Sequence, residues 1–394
     1  MSKMKKSFVL LLVFALFALA FAGCGGDATD DTGDAATEVI IGLNYELSGG
    51  VASYGQSSVD GINMAFEEIN AAGGINGMTI VTVEGDNKSE PAEATSIATK
   101  LITQDSVVTI LGPATSGAFK AQAPVTEDSQ IPAISSSATA DDVTLNEDGT
   151  VKEYIFRTCF SDSFQGTAMA AFATDNLEAK SAFIIKDNSS DYAKGLATSF
   201  TAAFEEAGGT IVGEEAYVAK EKDFNAVLTK IKALDYDVIY LPGYYEEVGL
   251  IIKQARALGI TAPILGADGF DSPLLLELAG ADALNDVYFT NHYSSIDEDP
   301  AVVAFIAAFQ EKYGKEPDAF NALGYDLGMF IADAIERAGS NDPGAIKDAL
   351  AATDGFVGVT GTISIDENHN AVKSIVVIGL EDGVQATAVK VDPK

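Results

Sequence analysis

Two doubly wound parallel-sheet α/β lobes joined by a multi-strand hinge are the fold that the sequence predicts. Three observations carry this expectation. Short apolar runs alternate with helical stretches of ten or more residues, the signature of βαβ units and parallel sheets. The alternation runs to about Phe156 and then starts again. The 394 residues exceed one domain of ordinary size.

The elements follow in order. Residues 39–43 form a short buried-type strand. A helix follows from about Tyr54, because Val59, Ile62, Phe66 and Ile69 recur at helical spacing. Gly73, Gly74, Asn76 and Gly77 end it, since these residues tolerate positive φ. Strand 78–83 comes next, then helix 91–104 with Pro91 in its first turn. Strand 107–111, helix 116–127 and strand 131–135 complete the first run. The second run holds helix 165–177, strand 181–186, helix 192–207 and strand 210–216. Phe224, Val227, Leu228 and Ile231 make one helical stripe, and Val248, Ile251, Ile252 and Ala255 another, with strand 238–241 between. Strands 264–266 and 287–290 are short. Helices 300–313, 319–338 and 343–351 lack strands of their own and are expected to return to the first sheet. Residues 361–380 read as two strands around a turn at 366–370.

Composition narrows the function. Hydrophobic residues at 47% and charged residues at 21% are ordinary for a globular chain. Against 24 Lys and Arg stand 58 Asp and Glu, a net charge of −34. So acidic a surface argues against nucleic acid or anionic headgroups as partners. Two Cys and two His leave little for a metal site, and neither CxxC nor HExxH occurs. No metal or cofactor is expected. At the N-terminus, Lys3, Lys5 and Lys6 precede an apolar run at 8–22, short for a membrane span and suited to an export signal. It ends in Ala22-Gly23-Cys24, which resembles a bacterial lipobox whose cysteine is lipidated, with Phe21 where Leu is usual. Residues 25–37 hold no large apolar side chain and read as a flexible tether. Cys159 reads as structural, because nothing beside it suggests an activated thiol.

Ligands of open parallel sheets bind beyond the carboxyl ends of the strands, where helix N-termini offer free N–H groups. Two first-run strands end in hydroxyl-rich turns, one with Ser116 and one with Ser136, Ser137 and Thr139. Such turns suit a carboxylate, although Ser and Thr are common there as plain helix caps. The second run ends its strands in Tyr192, Tyr244, Tyr245 and Asp268, which suit an ammonium group. Hydroxyls and N–H groups facing an acid and tyrosines describe a site for an α-amino acid zwitterion.

Five segments in order resemble the leucine/isoleucine/valine-binding proteins, solute-binding components of branched-chain amino acid ABC importers. They are Ser48 to Gly55, Ile69 to Gly77, Glu221 to Phe224, Gln254 to Gly259 and Ala319 to Asp326. The resemblance covers the chain from about Glu38 to the C-terminal strands. It implies a type I periplasmic-binding-protein-like fold that closes about its hinge, with no cofactor. It implies that Ser116 holds the ligand carboxylate, that Ser137 and Thr139 complete the carboxylate and ammonium contacts, and that Tyr192 and Tyr244 close over the ligand. Asp268 then pairs with the ammonium, where the best known members have Glu, and Tyr54 and Phe320 line an apolar side-chain pocket. The first-lobe disulfide and the pocket Trp of some members are absent.

The expected organisation is a signal at 1–23, a tether at 24–37 after lipidated Cys24, a first lobe of 38–157 with 291–360, and a second of 158–290 with 361–394. The expected protein is exported, lipid-anchored to the outer face of the cytoplasmic membrane or periplasmic, monomeric, and a donor of an amino acid to an ABC permease. Alternatives are a ligand-sensing module for a receptor or kinase, or a site for an amide or carboxylate ligand. An enzyme is disfavoured: no GxSxG or P-loop occurs, and His292 and His369 read as exposed.

Overall fold

A computed structural model describes residues 38–393. The expected export signal, Cys24 and the expected tether lie outside the described residues.

The first sheet contains β1 (Glu38–Tyr45), β2 (Thr79–Asp86), β3 (Thr109–Leu111), β4 (Ala133–Ser135) and β5 (Ile155–Arg157). All are parallel, in the order β2-β1-β3-β4-β5. Between them run α1 (Ala52–Ala71), α2 (Pro91–Thr103) and α3 (Ser116–Ser129). Val39, Ile41, Leu43 and Tyr45 of β1 face one core, while Ile40 packs against the other with Ile110 and Phe119. A sheet covered on both faces has no polar side, which is why its strands read as apolar runs.

The chain then crosses to α4 (Asp162–Asp175), β6 (Ser181–Asp187), α5 (Asp191–Glu206), β7 (Thr210–Tyr217) and α6 (Asn225–Ile231). β8 (Val238–Tyr240), α7 (Tyr245–Ala257), β9 (Ile264–Gly266), α8 (Pro273–Ala279) and β10 (Val287–Asn291) follow. The order β7-β6-β8-β9-β10 repeats that of the first sheet. In both sheets the winding reverses beside the first strand, at β1/β3 and at β6/β8. These are the topological switch points, where an open sheet leaves a crevice.

After a second crossing, α9 (Pro300–Tyr313), α10 (Ala319–Ala338) and α11 (Pro343–Ala351) return to the first sheet. β11 (Phe356–Gly358), β12 (Gly361–Ile365) and β13 (Ala371–Val372) pair with one another in a small antiparallel sheet. A third crossing leads to β14 (Ile375–Glu381) and β15 (Val384–Val391), which extend the second sheet antiparallel beside β10. The tail thus holds more than the two strands expected over 361–380. β15 is mostly exposed, so no buried apolar run marks it as a core strand. α4 starts three residues before its expected start, because the Ser161 hydroxyl caps the N–H of Phe164 at 3.3 Å.

α10 is held against α1 by backbone contact. A Cβ on Gly61 would lie 2.1 Å from the Asn321 carbonyl oxygen, and one on Gly324 would lie 2.1 Å from that of Ser58. Neither neighbour is a side chain that can turn away. Gly324→Ala should therefore force the helices apart and destabilise the protein by about 2–3 kcal/mol. The expected signature is a lower urea midpoint with an unchanged slope. An unchanged midpoint would mean that the crossing yields without cost.

Candidate functional site

Both switch points open onto one narrow cavity between the lobes, with only about 10 Å³ of free space. Its first-lobe wall is Tyr54 from α1, Ala114, Thr115 and Ser116 at the end of β3, Ser137 after β4, and Phe320 from α10. Its second-lobe wall is Tyr192, Tyr244, Asp268 and Gly269. Seven of the eight residues expected at the ligand site are thereby together. Thr139 is the exception: it is buried but does not reach this wall. Its carbonyl accepts from Arg157 Nη1 at 2.7 Å and from the Asp162 N–H at 2.8 Å, so the loop is anchored from behind.

The first-lobe half is a helix start kept open. The residue before α3, Thr115, does not cap the helix. Its hydroxyl donates instead to Glu46 Oε1 at 2.7 Å, and the N–H groups of Ala114 and Thr115 donate to the same carboxylate at 3.0 and 3.1 Å. Burial raises the Glu46 pKa, and these donors oppose the shift. Glu46 thus ties down the turn and leaves the first-turn N–H groups of α3 without a side-chain cap. Ser116 Oγ accepts from the Ala140 N–H at 3.1 Å, so its own proton is available to a ligand. Ser137 spends its proton on the Ala114 carbonyl at 3.0 Å and serves as wall.

The second-lobe half is a fixed acid among aromatic rings. Asp268 opens a 3-10 turn after β9 and is buried. Its Oδ1 accepts from the Tyr192 hydroxyl at 2.6 Å and from Gln165 Nε2 at 3.1 Å, and its Oδ2 lies 3.3 Å from His292 Nε2. Gln165 is itself held by Thr290, whose hydroxyl donates to Oε1 at 2.7 Å. Tyr192 and Tyr244 stack at 5.1 Å, and burial raises both phenol pKa values, so both rings stay neutral. Tyr54 and Phe320 stack at 4.2 Å across the opposite wall.

Two residues here, Asp162 and Gln165, carry no site reading from the sequence, and a third, His292, stands elsewhere than expected. Asp162, on the first turn of α4, is buried, and burial followed by repulsion from Asp268 moves its pKa well up, against the pull of Thr139 and Arg157. Gln165 Nε2 reaches its Oδ1 at 3.4 Å, so one amide bridges both acids. The Thr139 hydroxyl turns toward Asp162, yet neither Thr139 Oγ1 nor Asp162 Oδ2 makes a well-formed hydrogen bond within the protein. The signal available was Ser161-Asp162, a cap and an acidic first turn. Gln165 and His292 carry no motif. His292, expected to be exposed, is buried, because its ring lies flat on Phe160 at 3.6 Å. His369, likewise expected to be exposed, is half-buried on Phe156 at 4.0 Å, with Nδ1 3.1 Å from the Ile155 carbonyl. The other cysteine of the chain, Cys159, is buried and its thiol pKa is pushed up to about 12 by burial, which suits a structural role.

The lobes meet beside the cavity in neutral hydrogen bonds. The Tyr54 hydroxyl donates to the Gly269 carbonyl at 2.5 Å and accepts from the Tyr245 N–H at 3.2 Å. The Tyr245 hydroxyl donates to the Gly50 carbonyl at 3.0 Å, and Ser53 Oγ lies 2.8 Å from Ser272 Oγ. At the rim Lys120 meets Asp191 at 3.1 Å and Lys220 meets Glu90 at 3.0 Å, exposed pairs worth little.

Two acids also face each other across this seam. Asp271 Oδ2 accepts from the Ala319 N–H at 3.2 Å, next to Asp318, which caps α10 through the Asn321 N–H at 3.0 Å. Burial and then repulsion from Asp271 raise the Asp318 pKa to about 7. The folded form therefore holds a proton that the unfolded chain, with its carboxyl near 4, has released. Stability from this group is full below pH 4 and is lost as pH rises to about 7. Asp318→Asn should flatten the fall in thermal midpoint between pH 5 and pH 8. An unchanged slope would show that Asp318 is ionised throughout.

A family profile described as periplasmic binding protein matches residues 38–384. The Leucine-, isoleucine-, valine-, threonine-, and alanine-binding protein of Pseudomonas aeruginosa is 32% identical over 84% of this chain and 87% of its own. The branched-chain amino acid transporter substrate binding protein LivJ from Streptococcus pneumoniae, solved in complex with isoleucine, is 42% identical. It superposes with a TM-score of 0.86 over 90% of this chain and 100% of its own. The leucine binding protein LivK from Thermotoga maritima is 37% identical, with a TM-score of 0.84 over 90% of this chain and 99% of its own. With its twofold winding order, its cavity at paired switch points and these relatives, the chain belongs to the periplasmic binding protein family, among the leucine/isoleucine/valine-binding proteins.

Proposed function

We propose that this protein is the extracytoplasmic solute-binding component of an ABC importer, and that it captures a branched-chain or other apolar amino acid by closure of its two lobes and delivers it to a membrane permease. The observation that carries this reading is charge. Asp268 is buried and its one ion-pair-distance partner among the described residues is His292, whose pKa burial lowers to about 4. A carboxylate buried beside a neutral ring leaves a negative charge that a ligand cation offsets.

In this reading the ligand ammonium meets Asp268, with Asp162 and Thr139 close behind it. The ligand carboxylate meets the Ser116 hydroxyl and the open first turn of α3. Each charge-assisted hydrogen bond contributes about 1.5–3 kcal/mol. The stacked Tyr54 and Phe320 give the side chain an apolar wall. Closure carries the Tyr54 and Tyr245 hydroxyls onto their partners in the opposite lobe. Delivery from a membrane tether raises the local concentration at the permease. Lys3, Lys5, Lys6 and Ala22-Gly23-Cys24 support an export signal with a lipidated Cys24, and hence a protein anchored at the outer face of the cytoplasmic membrane.

Calorimetric titration of protein refolded free of carried-over ligand should give one-to-one binding of leucine, isoleucine or valine. Asp268→Ala should weaken that binding on the order of 10- to 100-fold. No binding to any of the twenty amino acids would overturn the importer reading, and an Asp268→Ala protein within twofold of the parent would overturn the ammonium assignment.

A further inference from the structure

His292 is the first residue beyond β10, where the chain leaves the second sheet. Its side chain is 1% exposed. The ring lies on Phe160 with 7° between the planes, and the backbone N–H of His292 donates to Asn291 Oδ1 at 2.9 Å. Stack and backbone together fix where the imidazole points, and Nε2 points at Asp268 Oδ2.

The protonation state follows from the surroundings. Desolvation outweighs the pull of Asp268 and holds the imidazole pKa at about 4, so the ring is neutral near pH 7. A neutral imidazole carries one N–H, and a carboxylate only accepts. The proton therefore sits on Nε2. Nδ1 is an acceptor and has no hydrogen-bond partner within the protein.

Two carboxylate oxygens offer about four acceptor positions in all. Oδ1 uses its two on Tyr192 and Gln165. Oδ2 uses one on His292. The torsion that turns an Asp carboxylate is broad, so without this third donor the group could swing about the Oδ1 contacts. With donors from α5, α4 and the crossing after β10 it cannot, and one position on Oδ2 remains.

We infer that His292 is a positioning residue of the ligand site: its Nε2–H fixes the Asp268 carboxylate so that the remaining acceptor position on Oδ2 is kept for the cationic group of the ligand. This rests on the importer reading above. The chemistry of the residue is part of the argument. A Lys or Arg here would fix the acid equally well but would also cancel its charge, and the ligand ammonium would lose its partner. A neutral donor orients the acid and leaves the charge in place.

The test is a double-mutant cycle read by titration with L-leucine. His292→Phe keeps the ring and the stack but has no donor, and should weaken binding about tenfold. His292→Gln restores an N–H donor and should return to within about threefold of the parent. In an Asp268→Ala background, His292→Phe should change the affinity less than about twofold, because the group it positions is gone. An equal loss in both backgrounds, or a His292→Gln protein no better than His292→Phe, would overturn the proposal and leave His292 a packing residue. If His292→Phe does not fold, the parent protein decides the point. It has only two histidines, so its imidazole ¹⁵N spectrum should show His292 protonated on Nε2 alone at pH 7, with and without leucine. A doubly protonated or Nδ1–H ring would contradict the assignment. A parent that binds no leucine fails the importer reading, whereas a parent that binds while His292→Phe binds equally well fails only this one.

Discussion

Burying the Asp268 carboxylate with no protein cation among its hydrogen-bond partners is the constraint around which this molecule is arranged. Asp268 and Asp162 lie beneath the cleft, bridged by one amide, and the donors to Asp268 are a phenol, a carboxamide and a neutral imidazole. Hydrogen bonds to neutral donors make the burial tolerable without neutralising it. The opposite lobe carries the matching requirement. An open helix start is a partial positive charge, and α3 has one because Glu46 takes the hydroxyl that would otherwise cap it. On the proposed reading, the ammonium of a zwitterion pairs with the acid of one lobe and its carboxylate with the open helix start of the other.

The fold brings these halves together by repetition. Each sheet is wound in the same order, so each has a crevice beside its first strand, and the three crossings between sheets set the crevices face to face. Close contact elsewhere keeps the frame rigid. α1 and α10 touch through Gly61 and Gly324, and this contact seats Tyr54 and Phe320 as a stacked pair. The seam between the lobes is built from hydroxyls and carbonyls at 2.5 to 3.0 Å. Such bonds re-form with water when broken, and their net worth is about 1 kcal/mol each, which suits a joint that opens and closes.

Most of the architecture could be read because parallel sheets write themselves plainly: buried strands as apolar runs, covering helices as stripes. Ser116, Tyr192, Tyr244 and Asp268 could be placed at one cavity because the strand-end rule names positions, not motifs. The failures have physical causes too. β5 follows β4 with no helix between them, and β15 is mostly exposed, so neither is marked by the strand–helix alternation. Asp162 and Gln165 reach the site from a helix start that the Ser161 cap moved three residues forward. His292 was misjudged because a residue at a crossing is exposed only if nothing covers it, and Phe160, distant in sequence, does. Thr139 stands one layer behind the wall, which no spacing in the chain could convey.

The central claim is that the two lobes grip opposite ends of one zwitterion. It is tested most directly by titrating the protein with L-leucine, with isoamylamine, which lacks the carboxylate, and with 4-methylpentanoate, which lacks the ammonium. Each truncated ligand is predicted to lose about 100-fold or more in affinity relative to leucine. Binding of either one within about tenfold of leucine would show that one half of the site does no recognition, and would contradict the account.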